Sequence, residues 1–141
     1  MFMTVTLAQK KDLKSIVAFD SHIPSLRLEE CIKKGQIYIL KDDENVWGVL
    51  RYSLFWQTIP FLDLIYLDEK IRAKGFGTEL MRVWETDMAD AGYVHVMTST
   101  QADEEAWCFY EKLGYRRVGG FFPPEQEAEE WIYLKALKTE N

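Results

Sequence analysis

Residues 61–78 read Phe61-Leu62-Asp63-Leu64-Ile65-Tyr66-Leu67-Asp68-Glu69-Lys70-Ile71-Arg72-Ala73-Lys74-Gly75-Phe76-Gly77-Thr78. The run Phe61 to Leu67 is apolar apart from Asp63 and reads as a strand. A helix follows from about Gly75 to Ala91, with Phe76, Leu80, Trp84, Met88 and Ala91 recurring on one face. The turn between them carries two glycines, which have no Cβ to keep a ligand from the backbone. The first N–H groups of the following helix lack intrahelical partners and carry the positive end of its dipole. Together these features hold a phosphate or pyrophosphate. Lys70, Arg72 and Lys74 add cationic side chains there, in a chain of net charge −6. The stretch reads as the pyrophosphate seat of a coenzyme.

Glycines alone do not name the coenzyme, since Gly-x-Gly also occurs in ordinary strand-to-helix turns. A dinucleotide site needs Gly-x-Gly-x-x-Gly or Ala, and here Leu80 takes the last position. It also needs an acid about 20 residues on, where Val94-His95-Val96-Met97-Thr98-Ser99-Thr100 has none. The P-loop pattern Gly-x-x-x-x-Gly-Lys-[Ser/Thr] is absent. Arg-x-x-Gly-x-Gly at Arg72, Gly75 and Gly77 instead resembles the acyl-CoA pyrophosphate loop of the GNAT acetyltransferase superfamily. A second stretch, Ala106-Trp107-Cys108-Phe109-Tyr110-Glu111-Lys112-Leu113-Gly114-Tyr115, is similar to that family's Ala-x-x-Phe-Tyr-x-Lys-x-Gly-[Phe/Tyr]. The two motifs come in the family's order, with one strand between, and the resemblance runs from about Thr4 to Leu137.

Length and composition agree with one domain over residues 1–141. Apolar residues make up 48% and aromatics 14%, ample for one packed core. No apolar run reaches the roughly 18 residues of a membrane span. The start, Met1 to Leu7, lacks the regions of a signal peptide and reads as a strand. Cys31 and Cys108 make no disulfide framework and suit a cytoplasmic chain. No metal site is expected, because His22 and His95 lie far from any Cys-x-x-Cys. The acidic balance argues against nucleic acid, where a basic face is expected.

Leu13, Ile16 and Val17 predict a helix ending near Ile23-Pro24, and Leu26 to Lys34 a second, stopped by Gly35. Strands are expected at Ile37–Leu40 and Val46–Trp56 around the turn Asp42-Asp43-Glu44-Asn45, and again from Pro60. After the glycine turn and its helix come a strand from about Tyr93 to Thr98 and a helix from about Glu104 to Leu113. Asp103 reads as that helix's N-cap and Gly114 as its C-cap. Tyr115–Gly119 and Trp131–Leu137 close the chain as paired strands. Hairpins before Pro60 and helical crossovers after it give an α+β fold. Its sheet is mixed and mostly antiparallel, of six to seven strands, with helices on both faces. The resemblance implies a splay between the fourth and fifth strands, where the backbone of Ile65 and Leu67 would pair with the pantetheine arm.

The resemblance further implies an N-acetyltransferase that moves acetyl from acetyl-CoA, a co-substrate, to a primary amine by direct attack. Arg72, Lys74, Gly75, Phe76, Gly77 and Thr78 would seat the pyrophosphate. Asp103 stands where the family often has Asn, beside the coenzyme. Tyr110 would protonate the departing thiolate; its spacing equally fits a core tyrosine with Ala106, Phe109 and Leu113. Backbone N–H groups near Leu67 would hold the oxyanion. Members carry a base Glu 11 residues before the loop Arg or at the end of the next strand, and here Phe61 and Thr98 stand there. Asp63 is then the candidate base, or a hydrogen-bonded structural residue; a water chain or an already neutral amine would need neither.

The family's acceptor enters near the loop joining the last strands, here Phe121 to Glu130, with Phe55 to Pro60 as a second aromatic wall. His22 and Arg27 border that entrance and read as surface groups. The acceptor is a small-molecule or peptide amine, and the chain a monomer or homodimer. A non-catalytic acyl-CoA-binding sensor or interaction domain is the alternative.

Overall fold

The computed structural model of the chain describes residues 2–138. Its strands are β1 (Thr4–Leu7), β2 (Ile37–Lys41), β3 (Val46–Phe55), β4 (Ile59–Leu67), β5 (His95–Gln101), β6 (Arg116–Phe121) and β7 (Glu130–Ala136). The helices are α1 (Leu13–Phe19), α2 (Ser25–Lys33), α3 (Phe76–Asp90) and α4 (Ala106–Lys112). The seven strands form one sheet in the order β1-β2-β3-β4-β5-β7-β6. β1–β2, β2–β3, β5–β7 and β6–β7 are antiparallel, and β4–β5 is parallel. This is the mixed, mostly antiparallel α+β architecture expected. The strand expected over Met1 to Leu7 is present as β1 from Thr4, and Met1 itself lies outside the described residues.

The chain divides into two compact units. The first holds residues up to Ser53 together with Asp63–Thr86, and the second Leu54–Leu62 and the chain from Asp87 on. In the first, Ala8, Ile16, Leu28, Ile32, Ile37, Ile39 and Val49 make a buried cluster, flanked by Leu13, Phe19, Ile23, Cys31 and Val46. α3 opens in this unit, burying Leu80, Met81 and Trp84. In the second unit, β4 pairs with β5 only at Phe61↔Met97 and Leu62↔Thr98. β5 by contrast pairs with β7 along its full length.

β5 runs on to Gln101, so Thr98 lies inside it and not at its end, and β6 spans Arg116–Phe121 against the Tyr115–Gly119 expected. Two further boundaries differ for plain physical reasons. α1 ends at Phe19, before the Ile23-Pro24 expected, because Asp20 leaves the helix at φ −127° to bury its carboxylate. Val17, expected on the apolar face, is exposed. α4 begins at Ala106, so Asp103 sits upstream in a turn and is not its N-cap. Glu105 occupies that position without a side-chain cap.

Candidate active site

The glycine turn lies in the first unit. Ala73 at φ 61° and Gly75 at φ 88° turn the chain from the short 3-10 segment Glu69–Ile71 into α3. Left-handed backbone costs a residue with a Cβ about 1–2 kcal/mol, so Ala73 holds strain where Gly75 holds none. The first intrahelical bond of α3 runs from Glu79 N–H to Gly75 C=O at 3.1 Å. Helix geometry therefore leaves the N–H groups of Phe76, Gly77 and Thr78 without intrahelical acceptors. They stand at the positive end of a 15-residue helix. Lys70, Arg72, Lys74 and Thr78 are exposed beside them.

Arg72 is folded back on the end of β4. Its Nε donates to Leu67 C=O at 3.0 Å, and its guanidinium lies 5.1 Å from the Tyr66 ring centroid. The Leu67 carbonyl is thus engaged in this structure, and Ile65 is half-buried two residues earlier. β3 approaches closely here: a Cβ on Gly48 would lie 2.7 Å from Leu67 Cδ2 and 3.2 Å from Tyr66 O.

Asp63 also belongs to the first unit. Its side chain is 26% exposed, and its Oδ2 lies 3.5 Å from Arg51 Nη1. Burial raises its pKa above the ordinary carboxylate value, and a hydrogen bond with Ser53 and the charge of Arg51 pull it back. Arg51 itself is buried and donates from Nε to Asp20 Oδ2 at 2.6 Å. Asp20 Oδ1 accepts the His22 backbone N–H at 3.3 Å and lies 3.4 Å from His22 Nδ1. His22, read from sequence as a lone surface group, has a buried carboxylate as its partner.

Tyr110 lies in the second unit, on α4, and is 6% exposed. Its ring sits 5.3 Å from Phe109, 5.7 Å from Tyr115 and 6.5 Å from Tyr133. The end of α4 fixes it further. Tyr115 N–H bonds to Tyr110 C=O and Gly114 N–H to Glu111 C=O, both at 3.1 Å, with Gly114 at φ 94°. That is a Schellman motif, and the Tyr110–Tyr115 ring contact is its apolar clasp.

The Tyr110 hydroxyl is hydrogen-bonded with Thr98, whose Oγ1 donates to Leu62 C=O at 3.1 Å. A threonine hydroxyl has one proton. With that proton on Leu62, the neutral phenol is the donor to Thr98. Burial pushes the phenol up to about 12, and Thr98, able to turn its proton onto a phenolate, pulls the other way. Tyr110 is therefore a protonated donor at neutral pH.

Two further regions complete the second unit. Phe121 and Phe122 are exposed, while Glu129 meets Arg117 and Trp131 Nε1, and Glu130 accepts from Gln126. At the β3–β4 tip, Phe55 and Trp56 stack at 4.7 Å, with Trp56 79% exposed. Among the described residues, no group of three or more His, Cys, Asp or Glu could hold a metal ion, and no helix is long and apolar enough to cross a membrane.

The sequence matches the acetyltransferase (GNAT) family over residues 8–115. The chain belongs to that family. No curated protein matches it in sequence. Among solved structures it is similar to a GNAT-family acetyltransferase from Bacillus cereus ATCC 10987, at 24% identity, covering 98% of this chain and 99% of that one, TM-score 0.79. It is similar to the ribosomal-protein-S18-alanine N-acetyltransferase of Escherichia coli, at 13% identity, 99% and 97% coverage, TM-score 0.81. It also superposes on the N-acetylglutamate synthase of Neisseria gonorrhoeae complexed with coenzyme A and N-acetyl-glutamate, at 15% identity and TM-score 0.82, covering 98% of this chain and 36% of that one. At these identities the likenesses describe the fold.

Sequence reading missed Asp20 and Arg51, and missed that Thr98 touches the Tyr110 phenol. One signal was present. Arg51 and Asp63 are lone opposite charges in largely apolar strands, each six residues from Gln57 at the hairpin tip. Hairpin strands place such residues opposite one another.

Proposed function

We propose that this family member is an acetyl-CoA-dependent N-acetyltransferase that acylates a primary amine by direct attack in a ternary complex. The observation that carries the reading is the start of α3: three backbone N–H groups without intrahelical acceptors, behind a left-handed Gly75, among Arg72 and Lys74. Gly77 and Phe76 would let the diphosphate lie against the backbone, and Thr78 would add a hydroxyl. Arg72 would exchange its Leu67 contact for the diphosphate, freeing that carbonyl for the pantetheine arm. Ile65 and Leu67 would pair with the arm, and Asp103 would lie beside the coenzyme.

A free ammonium near pKa 10.4 lies about 3 units from neutrality, so its deprotonation costs roughly 4–5 kcal/mol. Asp63 takes that proton as the base. The amine nitrogen then forms its bond to the thioester carbon, and the oxyanion is met by N–H groups near Leu67. The oxyanion reforms the carbonyl and the C–S bond breaks as the CoA sulfur receives the Tyr110 proton, while the nitrogen gives up its second proton, which restores the phenol and leaves a neutral amide. The acceptor is a small-molecule or peptide amine; nucleic acid and membrane have no part in it. The enzyme acts in the cytoplasm as monomer or homodimer.

Titration calorimetry with acetyl-CoA tests the coenzyme half: heat with a Kd at or below high micromolar is expected, and none would sink it. Release of free CoA thiol with spermine, lysine amide or an unblocked alanyl peptide tests the transfer. A second reading, a coenzyme-binding module without turnover, draws on Phe61 and Thr98 standing where family members carry Glu. Binding without thiol release across the amine panel would favour it.

A further inference from the structure

Asp20 is fully buried, and both of its oxygens are committed. Oδ2 receives Arg51 Nε at 2.6 Å, and Oδ1 receives the His22 backbone N–H at 3.3 Å. Arg51 is 8% exposed, and its Nη1 lies 3.5 Å from Asp63 Oδ2. A buried ion pair gains little over apolar packing of the same volume, because desolvation offsets the attraction. Stability therefore gives no reason for placing these charges inside the first unit. Geometry does. The guanidinium is a rigid planar fork, so fixing Nε on Asp20 fixes where Nη1 points.

We infer that Arg51 is the positioning residue for Asp63: Asp20 anchors the guanidinium on one side, and the guanidinium orients the Asp63 carboxylate and holds it ionised on the other. The inference rests on the reading of Asp63 as the base. The groups facing Asp63 come from three segments. β3 supplies Arg51 and Ser53, which favour the carboxylate; the segment after α1 supplies Asp20, which disfavours it. α2 supplies Cys31, whose thiol is pushed up by burial and is coupled to Asp63, Arg51 and Asp20. His22 stands on the far oxygen of Asp20.

The two charges act on Asp63 in opposite senses, and this gives the test. The Asp63 carboxyl carbon is followed by NMR against pH in the full chain without coenzyme, with His22 followed by its own ring signals. Asp20→Asn keeps a side-chain oxygen to accept from Arg51 Nε and so keeps the guanidinium anchored. It is expected to lower the Asp63 midpoint, because a like charge is removed while Arg51 stays in place. Arg51→Gln leaves the Asp20 carboxylate buried and unpaired and can unfold the chain. The double variant Asp20→Asn/Arg51→Gln carries no unpaired buried charge. It is expected to raise the midpoint by about one pH unit, the low end of what a neighbouring arginine does to an aspartate.

Midpoints unmoved in both Asp20→Asn and the double variant would overturn the assignment, as would shifts of the same sign in both. Acetyl-CoA calorimetry on the same proteins keeps the two proposals apart, with affinities expected within threefold of the unchanged chain. Absent binding would count against the coenzyme reading and leave the carboxylate coupling intact. Normal binding with silent titrations would remove Arg51's role alone.

Discussion

Tyr110 shows how one side chain serves packing and chemistry together. Its ring lies among Phe109, Tyr115 and Tyr133, which suits a core residue, and its hydroxyl reaches Thr98, which suits a donor. Spacing alone could not choose between these roles, because both need the same inward face of the helix. Tyr110→Phe keeps the ring and deletes the proton. We expect kcat to fall about 100-fold, the low end for a lost general acid, with acetyl-CoA affinity changed less than threefold; an unchanged kcat would leave only the packing role. The pH dependence follows from the raised value of about 12. Because folding raises this pKa, the burial contributes stability that is complete below the unfolded value near 10. That contribution is lost as pH climbs through the folded value. Tyr110 should accordingly give no alkaline limb in rate below about pH 10. For Asp63 the sense is also upward, so an acidic limb set by this base should lie above the ordinary carboxylate range.

At the scale of elements, helix ends were the most legible features, and the exceptions are instructive. Gly35, Gly92 and Gly114 all close helices with Schellman bonds, in which the N–H groups of Gln36, Tyr93 and Tyr115 reach back to Cys31, Met88 and Tyr110. A glycine after an apolar period signals that end directly. Helix starts were less legible: α4 has an uncapped Glu105, so the capping rule pointed to Asp103 instead. The early end of α1 was hidden for another reason. Apolar periodicity continued to Ile23, whereas Asp20 leaves the helix and turns its carboxylate to Arg51, a tertiary contact that local patterning does not carry. Gly114→Ala should test the clasp that holds Tyr110. A Cβ at φ 94° is strained, and a cost of about 1–2 kcal/mol is expected, with 3.6 Å to Lys135 Cε leaving no serious clash. A lowered melting temperature and a reduced kcat should appear together. Lost stability with kcat intact would show that the clasp serves folding only.

Over the whole molecule, connection lengths gave the pairing sense but not the strand order. The short turn after β2 makes β2 and β3 antiparallel neighbours, and α3 supplies the crossover to a parallel β5, whereas β1 meets β2 across α1 and α2, and β7 lies between β5 and β6. What patterning could not show was that β4 keeps only two partners on β5, or that the buried Arg51 of β3 meets the partly exposed Asp63 of β4 across their hairpin. Both depend on three-dimensional register, which a one-dimensional pattern does not carry. The acidic chain nevertheless places Lys70, Arg72 and Lys74 together at one helix mouth, an arrangement that packing does not require. The most direct measurement of whether an anionic coenzyme docks there is a backbone amide NMR titration with acetyl-CoA. The amides of Phe76, Gly77 and Thr78 should shift and slow in exchange more than any others, and Arg72→Glu should weaken the effect at least tenfold. Saturating acetyl-CoA that leaves those three amides where they were would contradict the account.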